Sequence, residues 1–180
     1  MIRRTLRLGR LSFVPLTTLK TGTKVRFSAL SSRPIPVVPL ALGVLGLIPF
    51  WALAIGLAQK GLRPWDTAAL DSALVTYAAV ILSFLGGIRW GLAVARSDRQ
   101  DVALHYIISI VPSLLAWGLL ILPEPLRLTC LGGLALLLGP VDQRLVPAGY
   151  APPWFGQLRL ILSCGAGLAL LYAAIVWRGG

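Results

Sequence analysis

The groups in this sequence that can ligate a metal or move a proton are few: one histidine, two cysteines and six carboxylates among 180 residues. His105 stands alone, so a haem held by two histidines of this chain is excluded, and zinc or di-iron chemistry lacks its ligand set. Asp101 lies four residues before His105, a spacing at which carboxylate and imidazole can relay a proton. The same spacing also suits a plain histidine at a helix start near a membrane surface. Cys130 and Cys164 belong to no CxxC motif and are expected as buried thiols. Asp66 and Asp71, five residues apart, fit the start of a helix better than a general acid–base pair. No phosphate-binding loop, dinucleotide fingerprint, zinc-protease helix or nucleophile elbow occurs. No catalytic residue, metal or cofactor is therefore expected, and the chain reads as a non-enzyme.

Arg89 is the exception to this chemical poverty. It interrupts the otherwise uncharged apolar run Leu74 to Ala95. A charge at mid-bilayer costs about 2.5–3.5 kcal/mol on insertion scales and is a functional hypothesis by default. Arg89 lies about 7 Å past the middle of its run, toward Arg96, from where an arginine can snorkel to the headgroups. Snorkelling, a structural pair with Asp142 or Asp101, and contact with a substrate or quinone head all fit. Arg89, His105 and Asp142 form the candidate polar site within the membrane. The same run repeats a small residue every four positions: Ala79, Ser83, Gly87, Gly91 and Ala95. In lipid such a ridge lets backbones approach closely, so it is expected to pack against another helix of the chain or against a partner. Arg89 points about 200° away from Gly87 on the helix and off this ridge.

The elements that carry these residues follow from composition. Hydrophobic residues make up 57% of the chain and charged residues 13%, about half the charge of a soluble domain. A soluble globule of this size still exposes near a third of its unfolded surface and could not hide so much apolar area. The expected fold is all-α: a polytopic transmembrane helix bundle of about five spans. The spans are 37–58, 74–95, 102–122, 126–141 and 158–177, within a helical membrane domain of residues 34–180. The fourth is short, and a re-entrant hairpin at 126–141 gives a four-span alternative. The runs are continuous rather than alternating, which excludes a β-barrel. Pro49 and Pro112 predict kinks, and Asp66 an N-cap. Trp65, Trp154 and Trp177 suit the headgroup level, whereas Trp51 and Trp117 are expected to pack between helices.

The formal net charge is +11, but residues 1–33 hold eight of the bases and no acid. Arg3, Arg7 and Arg10 share one side of a helical projection, with Ile2, Leu6 and Phe13 on another. This Arg-rich, Ser/Thr-dotted, acid-free segment has the composition of an organelle transit peptide, chiefly mitochondrial. A basic tail lying on anionic lipid is the alternative. A nucleic-acid partner is not expected, because no soluble basic face with base-reading groups is visible. Lys and Arg near the span ends put the N-terminus inside, on the matrix side, with the C-terminus across the membrane.

The string Ile81-Leu82-Ser83-Phe84-Leu85-Gly86-Gly87, followed by Trp90-Gly91, resembles the transmembrane protein 69 family, a bacterial and mitochondrial group of unknown function. Gly46-Leu47-Ile48-Pro49-Phe50, Val111-Pro112-Ser113-Leu114-Leu115-Ala116-Trp117 and Trp154-Phe155 with Leu158-Arg159 add to the resemblance, which covers about residues 37–177. It implies a multi-span protein, in eukaryotes of the mitochondrial inner membrane, and supplies no catalytic residues. The family pattern has histidine where this chain has Arg89, which speaks against proton transfer at that position. The expected function is a non-enzymatic accessory or assembly factor of a mitochondrial inner-membrane complex, its partners the lipid bilayer and other membrane subunits. The alternative is a small transporter or channel with Arg89 lining the path.

Overall fold

The computed structural model describes residues 34–59 and 66–177. The basic tail 1–33, with its transit-peptide reading, lies outside the described residues, as do Lys60, Arg63, Trp65 and Arg178. Among the described residues all regular structure is helical: α1 (Val37–Leu45), α2 (Ile48–Ala58), α3 (Thr67–Val94), α4 (Val102–Leu119), α5 (Leu126–Gln143) and α6 (Pro153–Val176).

The boundaries have local causes. Pro49 has no N–H to give to the Leu45 carbonyl, so the first apolar run breaks just before it. The Leu47 amide donates to Val44 O at 3.0 Å, a tight turn that ends α1, and α2 starts with Pro49 in its first turn. Asp66 caps α3, its carboxylate accepting from the Ala69 amide at 2.6 Å. This is the expected cap, and it starts the helix at Thr67, ahead of the apolar run that begins at Leu74. Pro112 lies buried within a continuous α4. α6 begins at Pro153, five residues before the expected start, because proline is well suited to the first helical position. The loop between α5 and α6 shortens accordingly.

Two antiparallel hairpins, α3–α4 and α5–α6, make the bundle; α2 packs against α3 and α6, and α5 touches α3 and α4. Leu128, Leu131, Gly132, Ala135, Leu138, Gly139 and Asp142 form one buried stripe of α5 at three- and four-residue steps. Glycine sets the closest approaches. A Cβ on Gly132 would lie 3.1 Å from the Gly167 carbonyl oxygen, and one on Gly86 would lie 2.3 Å from that of Ser109. The main core gathers Phe50, Leu74, Leu82, Leu128, Leu131 and Leu170 from α2, α3, α5 and α6.

The outside of the bundle is as apolar as its core. Val37, Phe84, Trp117, Ile121, Leu137 and Ile175 are all exposed. A water-facing surface does not carry such a belt, and a bilayer accounts for it. Four helical runs are long and apolar enough to cross a membrane: 37–58, 67–94, 102–119 and 153–176. α5 is not among them, because Arg127 stands in its first turn and Asp142 and Gln143 end it. It is nonetheless one continuous helix about 27 Å long, not a hairpin. Trp117 is 73% exposed and Trp51 37%, so neither is buried between helices as expected. Both present their rings outward, where lipid is as good a neighbour as a leucine.

Candidate functional site

A polar layer crosses the bundle between its two apolar clusters. Below it lies the main core. Above it, Leu145, Tyr150 and Phe155 pack with Ile88 and Leu92 into a smaller cluster under the α5–α6 loop. Three charged side chains enter the layer from three helices: Arg89 from α3, Asp142 from the end of α5 and Arg159 from α6. Arg89 Nη1 donates to Asp142 Oδ1 at 2.9 Å, and Arg159 Nε donates to Asp142 Oδ2 at 2.8 Å. All three are buried, with residue exposures of 7%, 5% and 3%. Arg89 lies about 7.5 Å inside the end of α3 and Arg159 about 9 Å inside the start of α6. Two guanidinium groups share one carboxylate, so the layer carries one positive charge in excess. Arg89 Nε, Arg159 Nη2 and Ser163 Oγ are buried there without a hydrogen-bond partner. Ser163 sits where α5 and α6 touch, and a Cβ on Gly139 would lie 2.9 Å from its own Cβ.

A second constellation closes the same end of the molecule from outside. Tyr150 Oη donates to Asp101 Oδ1 at 2.7 Å, and Arg99 Nε donates to the same oxygen at 3.0 Å. The Arg99 guanidinium lies 4.7 Å from the Tyr150 ring centre, and the His105 ring packs on that ring at 3.9 Å. His105 Nε2 stands 3.9 Å from Asp101 Oδ2. The Arg99 hydrogen bond, then that from Tyr150, holds the Asp101 carboxyl down to about 2. This latch joins the α3–α4 turn to the α5–α6 loop. Gly149, with φ of 78°, makes the turn that presents Tyr150. At the opposite end Arg127 donates to Asp71 at 2.7 Å and pairs with Glu124, tying α5 to the start of α3.

Residues 35–175 match the family described as a protein of unknown function, DUF3429. The chain belongs to the DUF3429 family. It is similar to Transmembrane protein 69 of Xenopus tropicalis, with 35% identity over 157 residues, 84% of this chain and 59% of that protein. Transmembrane protein 69 of Mus musculus is 28% identical over 151 residues, covering 81% of this chain and 57% of the relative. The chain thus spans somewhat under three fifths of the length of these relatives. No solved structure matches. The resemblance carried by the Ile81–Gly91 segment is thereby shown; the apolar helices and the transmembrane relatives make this a membrane protein, and its family is described as one of unknown function.

In this DUF3429 chain Arg89 and Asp142 meet, while His105 belongs to the outer latch with Asp101. Arg159 and Ser163 are members of the polar layer that the sequence reading missed. Its one available signal was charge: Arg159, like Arg89, falls within an apolar run and therefore calls for an acidic partner. The small-residue ridge is divided: Ala79 is half-buried against the main core, while the remaining four members face outward. Ser83, Gly87, Gly91 and Ala95 are exposed, and a Cβ on Gly87 or Gly91 would meet nothing within 4 Å. The internal contact with α4 is made instead by Gly86, one position around the helix. Chemically the layer can hold an oxyanion. Among the described residues, no group of three or more His, Cys, Asp or Glu residues could hold a metal ion.

Proposed function

We propose that this DUF3429 protein is a non-enzymatic accessory or assembly factor of a mitochondrial inner-membrane complex, with residues 1–33 as its import presequence. The observation that carries the reading is the outward notch of α3, where Gly87 and Gly91 have open space beside them. A helix of another subunit can approach such a notch closely, and in lipid close packing is what holds helices together. Import is supported by the acid-free, arginine-rich composition of the tail. A matrix-side N-terminus is supported by Arg96, Arg99 and Arg144 at the bundle end where α1 starts, against Arg127 at the other end among the described residues. The transport alternative asks for Arg89 open to a path, whereas its guanidinium is buried and committed to Asp142.

Native gel electrophoresis of mitochondria solubilised in mild detergent tests the proposal. The full chain is expected to migrate with a larger assembly. The double variant Gly87→Leu/Gly91→Leu is expected to leave that assembly while accumulating normally, since neither change meets an internal neighbour. Migration of the wild-type chain alone or as a homo-oligomer would overturn the accessory role.

A further inference from the structure

We infer that the polar layer is the head-group end of a binding site for a long-chain carboxylate, a fatty acid entering sideways from the bilayer. A cavity of about 140 Å³ lies between α1, α2, α3 and α6. It is comparable in size to the roughly 150 Å³ apolar cavity that accepts a benzene ring in a protein core. Phe50 and Leu82 form its inner walls, and Arg159 and Ser163 are its two polar lining residues. Leu42 and Phe84 line it as well, yet both are exposed on the outer belt of the bundle, so the cavity opens toward lipid rather than toward water.

The polar wall is built for an anion. Arg159 and Ser163 are 3% and 4% exposed, and Arg159 Nη2 and Ser163 Oγ are both buried with no partner in the chain. Buried donors without partners are rare and point to an absent ligand or water. The second guanidinium of the layer gives the wall an uncompensated positive charge, because Asp142 neutralises only one of Arg89 and Arg159. A carboxylate supplies two acceptor oxygens and the missing negative charge, and its alkyl chain suits the apolar walls and the lipid-facing mouth. A glycerophospholipid fits less well. Its phosphate belongs at headgroup level, while Arg159 lies about 9 Å inside the start of α6, and its glycerol would have to follow into the cavity. The site does not depend on any protein partner.

Binding of radiolabelled oleate to the purified full chain in detergent tests the inference, with unlabelled oleate, methyl oleate and dioleoyl phosphatidic acid as competitors. Saturable binding of one oleate per chain is expected, displaced by oleate and at least tenfold less well by the other two. Ser163→Ala removes a hydroxyl that has no partner in the chain, so folding is preserved, and oleate affinity is expected to fall about tenfold, the value of one hydrogen bond to a charged group. Arg159→Gln is expected to abolish binding, and Ser163→Ala keeps the test decisive if that variant fails to fold. Absence of saturable binding, equal competition by methyl oleate, or unchanged affinity in Ser163→Ala would overturn the site. Equal competition by phosphatidic acid would overturn the carboxylate assignment in favour of a phospholipid.

Discussion

Asp142 is the residue on which the polar layer turns, since it is the shared acceptor for Arg89 and Arg159. Removing one partner of a buried ion pair leaves uncompensated charge, whereas replacing all partners by apolar groups of similar volume is often neutral. Asp142→Asn is therefore expected to destabilise the protein by about 3–5 kcal/mol, read as a lowered unfolding temperature in detergent. The triple variant Arg89→Met/Asp142→Leu/Arg159→Met is expected to recover most of that loss. Asp101 makes the pH prediction. Its carboxyl is held down from 3.8 to about 2, so the latch contributes stability that is full above the ordinary value and is lost as pH falls through the lower one. Pepsin cleavage of the 144–152 loop is expected to rise over that window, and Tyr150→Phe to move the rise to higher pH. The sequence placed Arg89 inside the membrane and named Asp142 as one of two partners. It did not reveal Arg159 as the third member, because the helix begun by Pro153 carries that residue deeper than an apolar run starting at Leu158 would suggest.

The helices owe their positions to single glycines more than to whole motifs. Gly86 and Gly87 are adjacent, yet a methyl group on the first would drive into the Ser109 carbonyl of α4 while one on the second would meet nothing. Gly86→Ala is expected to cost about 1–3 kcal/mol by forcing α3 and α4 apart. Gly87→Ala is expected to be neutral or to stabilise α3 by up to about 1 kcal/mol, because alanine is the better helix former. Chemical denaturation of the two variants in the same detergent separates them. At Gly149 the left-handed backbone sets the outcome, and Gly149→Ala is expected to cost about 1–2 kcal/mol. Hydrogen exchange at the Tyr150 and Ala151 amides, both bonded to the Leu145 carbonyl, would report it as faster exchange. A four-residue repeat of small side chains was legible in the sequence, but not which neighbour uses it. Residues one step around a helix differ by about 100°, so the contact with α4 fell to Gly86 and the ridge from Ser83 onward faces out.

The described residues form a bundle whose apolar belt has no counterpart in water, with its charge confined to the two ends and to one inner layer. Composition made the helical membrane fold readable without any motif, since an apolar helix run is long and unambiguous. The Asp66 cap of α3 was readable as well, but the start of α6 was not, because initiation at Pro153 extends that helix ahead of its apolar run. The central claim is that these helices cross a membrane; the proposed localisation adds that the end bearing Arg96, Arg99 and Arg144 lies on the matrix side. Its most direct test is labelling of introduced cysteines by a membrane-impermeant maleimide in intact mitoplasts, with Cys130 and Cys164 changed to serine. Ser97→Cys and Pro123→Cys stand at the two ends of α4. Labelling of Pro123→Cys in intact mitoplasts, with Ser97→Cys labelled only after permeabilisation, is the expected result; equal labelling of both before permeabilisation would contradict it.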